Sequence, residues 1–337
     1  MATLPPFTFG LHRMTDRSYA YIQPDGSWGL NNTMLFVNGG ESLLVDTLCD
    51  LPLTRKMLAS MAAADADAKQ IDKVLLTHWH CDHVFGASAD ELAASRVFAS
   101  RICTDYMASN PPKAWLGAES ELKGDARRQM DRWLAGRFDF TGVRHRDPDE
   151  VFEGHTEIDV GGTKAIVVET KPSHTRSDSV VFFPDDGTAH TGDLVAIDRH
   201  VGMQYPGIAN LIEATELMLS WGADLYVTGH GPVASLSDVR AYLEYLRFIQ
   251  DQVKTCYNRG LPLDEATDEL LRNLGPYRTL RNPGSLYFTM KMGFCELSGD
   301  LENFCRRNNP GFAATVWRVS HELPKKHPDL FAQFAGH

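Results

Sequence analysis

The chain has 337 residues, of which 43% are hydrophobic and 23% charged, an ordinary composition for a soluble globular protein with a sizeable core. Its net charge of −11 argues against a nucleic-acid partner, because phosphate binding needs clustered Lys and Arg. The sequence opens without a secretory signal and has no apolar run of membrane-spanning length. Its six cysteines include no CxxC pair. We therefore expect a cytoplasmic protein with reduced thiols and no membrane partner.

Strand and helix patterns alternate over the first hundred residues. Two apolar runs flank the turn signal Asn38-Gly39-Gly40-Glu41 and predict a hairpin. Helical spacing follows, and then an apolar strand. The predicted strands are 32–37, 42–46, 71–77 and 96–99, and the predicted helices are 51–64 and 86–95. This alternation implies helices that cover the faces of a sheet.

Four side chains of metal-ligand type follow the strand at 71–77. They are His78, His80, Asp82 and His83, within Thr-His-Trp-His-Cys-Asp-His. His78 and His80 point the same way in an extended chain, and a helix that starts after them would redirect Asp82 and His83. Imidazole and carboxylate are ligands of zinc and iron. Because three His and an Asp exceed what one open metal site needs from a single loop, we expect two metals. Cys81 is either a soft extra ligand or, the favoured reading, a small side chain turned away.

Residues 101–150 are predicted to be an insertion. Asn110-Pro111-Pro112 interrupts the chain, an amphipathic helix is expected at 119–136, and 137–150 is polar and loop-like. The insertion is either one wall of an active site or a solvated decoration. His145 and His155 are expected at the surface.

The rest of the chain divides into a strand-rich and a helical part. Strands are predicted at 157–160, 163–169, 179–183, 189–191 and 223–227, and a helix at 210–221. Helices are predicted at 237–259, 264–274, 297–307 and 313–323. Residues 285–294, rich in Met and aromatics, are expected to pack as a helix, with an apolar substrate wall as the alternative.

The ligand loop and four further motifs occur in a fixed order. The further motifs are Leu43-Leu44-Val45-Asp46-Thr47, His174 in Lys171-Pro172-Ser173-His174-Thr175, Gly192-Asp193, and Thr228-Gly229-His230-Gly231. Together they resemble the metallo-β-lactamase superfamily of metallohydrolases over roughly residues 30–235. The resemblance says little about residues 236–337.

The resemblance implies an α+β fold, a four-layer αββα sandwich. Residues 1–235 would form the catalytic domain, and 236–337 a helical region packed on it. His78, His80 and His174 would bind one metal, Asp82, His83 and His230 the second, and Asp193 both. Two zinc ions are expected, with iron or manganese as alternatives. Asp46 would support the ligand loop through hydrogen bonds, or else cap a turn or helix.

The resemblance also implies hydrolysis by a hydroxide held between the metals, with Asp82 orienting it and later passing a proton. β-Lactamases of the superfamily generally lack the bridging Asp, whereas thioesterases and lactonases keep it, so Asp193 favours a thioester or lactone. The alternatives are an iron-dependent oxidoreductase similar to persulfide dioxygenases, a phosphodiesterase, and a ligand-binding protein with a vestigial site. The expected partner is a small molecule, apolar acyl or aromatic in character; a homodimer stays open.

Overall fold

Two β-sheets packed face to face form the centre of the protein, whose computed structural model describes residues 4–134, 136–300 and 310–333. In the first sheet the strands lie in sequence order, antiparallel from β1 to β4 and parallel from β4 to β7. Its strands are β1 (Gly10–Arg13), β2 (Ser18–Ile22), β3 (Thr33–Asn38), β4 (Glu41–Val45), β5 (Lys73–Leu76), β6 (Arg96–Ser100) and β7 (Glu150–Phe152).

The second sheet has the strand order β13-β12-β11-β10-β9-β8 and is antiparallel apart from the β11–β12 pair. Its strands are β8 (His155–Val160), β9 (Thr163–Glu169), β10 (Ser179–Phe183), β11 (Thr188–His190), β12 (Leu225–Val227) and β13 (Ala234–Ser235). The hairpin predicted around Asn38-Gly39 is confirmed, and the strands predicted at 157–160 and 163–169 pair as a second hairpin around Gly161-Gly162.

Helices cover both outer faces of the sandwich. They are α1 (Leu51–Ala64), α2 (Cys81–Val84), α3 (Arg101–Ser109), α4 (Pro112–Ser120), α5 (Gly124–Leu134), α6 (Ile208–Trp221), α7 (Leu236–Asn258), α8 (Leu263–Arg272), α9 (Ser285–Ser298), α10 (Pro310–Lys326) and α11 (Pro328–Ala332). No helix within the described residues is long and apolar enough to cross a membrane.

The sequence of strand β3 is apolar on both sides because both of its faces are buried. Met34 and Phe36 face the second sheet, where the Phe36 ring lies 4.4 Å from that of Phe183. Leu35 and Val37 point the other way, into the core that contains Met57 of α1. Because side chains alternate along a strand and both faces of this sheet are covered, the run has no polar face. The α+β, four-layer αββα prediction is confirmed.

One predicted helix is absent, and another is interrupted. Instead of a helix at 86–95, short 3₁₀ turns occur at Phe85–Ser88 and Asp90–Leu92, separated by Ala89 in an extended conformation. The predicted helix at 119–136 is divided into α4 and α5, because Gly124 has a left-handed backbone with φ +60°. The insertion also contains α3, which we did not predict. The chain at the end of the insertion forms β7, which pairs with β6.

The helical C-terminal region packs on the second sheet. Val239 and Leu246 of α7 share a core with Val180 and Tyr226 of that sheet. The helices predicted at 237–259, 264–274 and 313–323 are confirmed as α7, α8 and part of α10. Of the helix predicted at 297–307, residues 301–307 lie outside the described residues, while 297 and 298 end α9. The boundary after residue 235 stays a prediction.

Residues 285–294 form most of α9, and in the structure this helix packs in the core, as one of the two expectations for the segment stated. Leu286, Met290 and Met292 are buried in the core shared with α7. Thr289 accepts a hydrogen bond from Met203 N (3.3 Å) and donates one to Val201 O (2.6 Å). The segment therefore supports the loop that follows Asp193.

Candidate metal centre

The ligand loop lies where β5 ends and α2 begins. His78 and His80 are in the extended stretch between the two elements, and Asp82 and His83 are in the first turn of α2. All four side chains are buried. The predicted turn from strand into helix is confirmed, and it is this turn that directs Asp82 and His83 away from His78 and His80.

The seven predicted ligand residues come together as two groups. His78, His80, His174 and Asp193 offer ligand atoms that all lie within 4.8 Å of one another, and Asp82, His83 and His230 do the same. The contributing chain segments follow β5, β9, β11 and β12, so loops at one edge of the sandwich form the centre. Cys81 belongs to neither group among the described residues.

Asp193 lies between the two groups. Its Oδ2 is 3.2 Å from His174 Nε2 and 3.5 Å from His230 Nε2, while its Oδ1 is 3.3 Å from His83 Nε2. The backbone leaves little room here, because a Cβ on Gly229 would lie 2.0 Å from Asp193 Oδ1. One carboxylate can therefore contact residues of both groups.

Asp46 supports the ligand loop from behind. Its carboxylate accepts hydrogen bonds from Thr77 N and Thr77 Oγ1, both at 2.8 Å, and from His83 Nδ1 at 2.8 Å. Asp46 is fully buried and has a left-handed backbone with φ +64°. Because His83 uses Nδ1 for this bond, its Nε2 is the nitrogen that faces Asp193. The contacts of Asp46 thus fit the supporting role that the resemblance implied.

Two further segments orient His230 and His174. His230 Nδ1 lies 3.0 Å from Leu30 O, and the buried Asn32 donates to Thr228 O (2.8 Å) and Gly231 O (2.7 Å) on either side of His230. In the loop of His174, Asp178 accepts hydrogen bonds from Thr175 N (2.8 Å) and Thr175 Oγ1 (2.9 Å). Burial raises the pKa of Asp178 in spite of these donors.

Our sequence analysis missed Leu30, Asn32 and Asp178. Asn32 was visible only as the first residue of a predicted strand, and Asp178 as a polar residue before β10. A backbone carbonyl such as that of Leu30 leaves no signature in the sequence. The contacts of Leu30 and Asn32 with the His230 loop join residues 200 and 199 positions apart in the chain.

The electrostatics of the centre favour charged carboxylates beside imidazoles. Burial would raise the pKa of Asp193, but His230, His83 and His174 outweigh it and hold that pKa well below its usual range. Burial would lower the pKa of His230, but Asp193 and Asp82 raise it to about 9. The carboxylates likewise raise the pKa of His83. Divalent cations would replace protons at these nitrogens.

The donor set fits two metal ions. His83 Nε2 and Asp193 Oδ1 are buried and make no hydrogen bond within the described part of the chain. Buried polar atoms are normally satisfied, so orphaned nitrogen and oxygen atoms that face one another indicate a missing partner. Imidazole nitrogens with carboxylate oxygens suit zinc, iron or manganese. A metal would satisfy both atoms.

The protein thus combines a hydrolase-type fold with a cluster of metal-ligand residues, and the sequence agrees. A family model for the metallo-beta-lactamase superfamily matches residues 26–230. The chain belongs to that superfamily. No curated protein matches its sequence significantly.

Solved structures share the fold at low sequence identity. A metallo-beta-lactamase from Pontibacter korlensis is 18% identical, with a TM-score of 0.51 over 71% of this chain and 99% of its own. The inverting sec-alkylsulfatase Pisa1 from Pseudomonas sp. is 18% identical, with a TM-score of 0.61 over 85% of this chain. A double mutant of the same sulfatase reaches 0.65 over 86%, at 17% identity. This chain spans half the length of the sulfatase chains.

Proposed function

We propose that the protein is a binuclear metal-dependent hydrolase that cleaves an ester-type carbonyl bond, a thioester or a lactone. The observation that carries the proposal is the position of Asp193 between two groups of three ligand-type residues. Superfamily members with this bridging carboxylate include thioesterases and lactonases, as the sequence resemblance implies. Two zinc ions are the proposed cofactors.

The residues of the centre have separable roles in such a reaction. Bound metals would supply a water of lowered pKa and polarise the substrate carbonyl. Asp82 Oδ2 lies 3.2 Å from His230 Nε2, and its side chain is 11% exposed at the edge of the centre. It can accept a hydrogen bond from the attacking water, take its proton and pass that proton to the leaving group. Asp46 and the Leu30 carbonyl hold the His83 and His230 rings in place.

Aromatic side chains near the centre support an apolar acyl or aromatic substrate. The Trp28 ring stacks on Trp133 with 5.4 Å between centroids, and Phe138 packs edge-on at 5.9 Å. Trp28 is two residues from Leu30, whose carbonyl contacts His230. Trp133 and Phe138 belong to the insertion, so the insertion contributes apolar surface around Trp28.

A sulfate ester is the second candidate substrate. The alkylsulfatase structures share the fold over 85–86% of this chain. The shared part therefore extends beyond residues 26–230, the range that the family model matches. The metallo-beta-lactamase structures cover 71–73%. This likeness supports the candidate through fold alone. An iron-dependent oxidoreductase, a phosphodiesterase and a ligand-binding protein with a vestigial site stay alternatives, and metal analysis separates the first of these from a zinc hydrolase.

The test is metal analysis followed by an activity panel. Protein purified without chelator should contain about two equivalents of zinc per chain, as the two ligand groups predict. It should then hydrolyse a thioester or lactone, with His230→Gln inactive. His155→Gln is the matched control, because His155 is exposed and outside both groups. A single equivalent after zinc supplementation, or activity equal in both variants, would contradict the proposal.

A further inference from the structure

A pair of arginines from distant parts of the chain meets beside the His230 loop. Arg199 and Arg281 form an isolated parallel β-bridge. Arg281 N donates to Asp198 O at 2.9 Å, and His200 N donates to Arg281 O at 2.8 Å. Residues paired across such a bridge direct their side chains to the same face. The two guanidinium groups therefore extend from one side of the bridge.

The contacts of the Arg199 side chain locate this face of the bridge in the fold. Its Nη1 donates to Gly26 O at 2.6 Å and its Nη2 to Asp25 O at 2.8 Å. Its Nε is 3.8 Å from the position of a Cβ on Gly231, the residue after His230. Burial and the charge of Arg281 lower the pKa of Arg199, while Asp25 and Asp193 act in the opposite direction. The arginine face is thus next to the second ligand group.

Within the described part of the chain, neither arginine forms an ion pair with a carboxylate within 4.0 Å. Ion pairs within 4.0 Å join many other arginines to acidic residues, such as Arg247 to Glu216 and Glu244. Over the described residues, no such pair includes Arg199 or Arg281. Arg199 bonds only neutral carbonyl oxygens, and Arg281 is half-buried. Two like charges placed side by side repel each other, and an anion bound between them would relieve that repulsion.

The backbone on both sides of the pair is left-handed, a conformation that is uncommon outside glycine. Among the described residues, three that are not glycine have left-handed φ: Asp46, Asp198 and Asn282. Asp46 supports the ligand loop. Asp198 directly precedes Arg199 and Asn282 directly follows Arg281, with φ of 57° and 62°. Because such conformations collect at functional sites, they add weight to a functional role for the bridge.

We propose that Arg281, backed by Arg199, binds an anionic group of the substrate, a carboxylate or a sulfate, beside the metal centre. Arg199 is fixed by its two carbonyl partners, and the half-buried Arg281 makes the direct contact. Guanidinium groups suit this task because they donate paired hydrogen bonds to carboxylate and sulfate oxygens. The assignment of substrate class rests on the proposed hydrolase function, whereas anion binding itself does not.

The experiment compares Arg281→Gln with wild type, both loaded with zinc. Three substrates are used: neutral 4-nitrophenyl acetate, the mono-4-nitrophenyl ester of glutaric acid, and 4-nitrophenyl sulfate. We expect the KM of the preferred anionic ester to rise roughly tenfold to a hundredfold, the loss typical of a charge-assisted hydrogen bond. The KM of the neutral ester should not change, and Arg281→Lys should restore part of the affinity.

Arg278→Gln is the matched control, since Arg278 is exposed and lies three residues before Arg281 with the same charge. Its KM values should match wild type, which excludes a general effect of net charge. Calorimetric titration with inorganic sulfate and with glutarate gives a second readout that needs no turnover. Weaker binding of either anion only in Arg281→Gln supports the site, and the preferred anion identifies the group. If none of these three esters is hydrolysed, the titration still decides the anion site, while the hydrolase proposal is decided separately by metal analysis and the thioester and lactone panel. Equal anion binding in all three proteins would overturn the inference.

Discussion

Substitution of Asp46 tests whether the ligand loop depends on a carboxylate that does not belong to either ligand group. Asp46→Asn keeps the size of the side chain and tolerates the left-handed backbone. It replaces one acceptor oxygen by an NH₂ group, which cannot accept from Thr77 or from His83 Nδ1. The His83 ring loses its orientation, so zinc should bind about 10–100-fold more weakly, equivalent to about 1.4–2.8 kcal/mol.

The metal-free protein should also lose stability. A buried donor left without an acceptor costs about 1–3 kcal/mol, and Asp46 accepts from three donors. Asp46→Ala and Asp46→Gly both remove all three bonds. Alanine also has a left-handed cost of about 1–2 kcal/mol, which glycine escapes, partly offset by the larger entropy of glycine in the unfolded chain. We therefore expect Asp46→Gly to be the more stable of the two by roughly 1 kcal/mol.

Chelator competition measures the zinc affinity, and urea unfolding of the metal-free proteins measures the free energy of unfolding. The comparison of alanine with glycine isolates the backbone term, because both variants lack the carboxylate. Wild-type zinc affinity in Asp46→Asn would refute the supporting role. Equal stability of the alanine and glycine variants would refute the assigned backbone strain at φ +64°.

Five further substitutions have specific expected outcomes. Asp193→Ala should weaken binding of both metals, whereas His230→Ala should mainly empty the second site; unchanged metal content and activity in Asp193→Ala would exclude the bridging role. Asp82→Asn should lower turnover by about 10²–10⁴-fold, with little change in KM once zinc is resupplied, and full activity with two metals bound would end the assignment of Asp82 as proton acceptor. Gly229→Ala should fold yet lose zinc, because its Cβ would lie 2.0 Å from Asp193 Oδ1; crystallography or metal analysis that finds Asp193 undisturbed would contradict this. Burial lowers the pKa of His200 from 6.5 to about 4. Between these two pH values the unfolded state binds a proton that the folded state does not, so the free energy of unfolding falls as the pH falls through that range. That difference in pKa corresponds to about 3 kcal/mol, and we expect the metal-free His200→Gln variant to lose this part of the pH dependence in urea unfolding at pH 7 and pH 4; identical dependence in both proteins would show that His200 is not the group responsible.

Much of the centre was predictable because its chemistry is concentrated locally. His78, His80, Asp82 and His83 occur within six residues, so spacing alone indicated a metal site, and the strand and helix periods indicated how the loop turns. The remaining ligands His174, Asp193 and His230 were assigned through family resemblance. Helix boundaries failed where single residues override periodicity, as the left-handed Gly124 does in the insertion.

What the sequence determined by itself is the identity of the ligand loop, the alternation of strands and helices, and the apolar faces that drive the two sheets together. These features depend on residues close in sequence, where backbone period fixes side-chain direction. Only the tertiary structure decided that Asp193 lies between the two ligand groups and that Asn32 holds the His230 loop. It alone joined Arg199 to Arg281. Such contacts arise when elements far apart in the chain pack, and no local pattern encodes the distance between them.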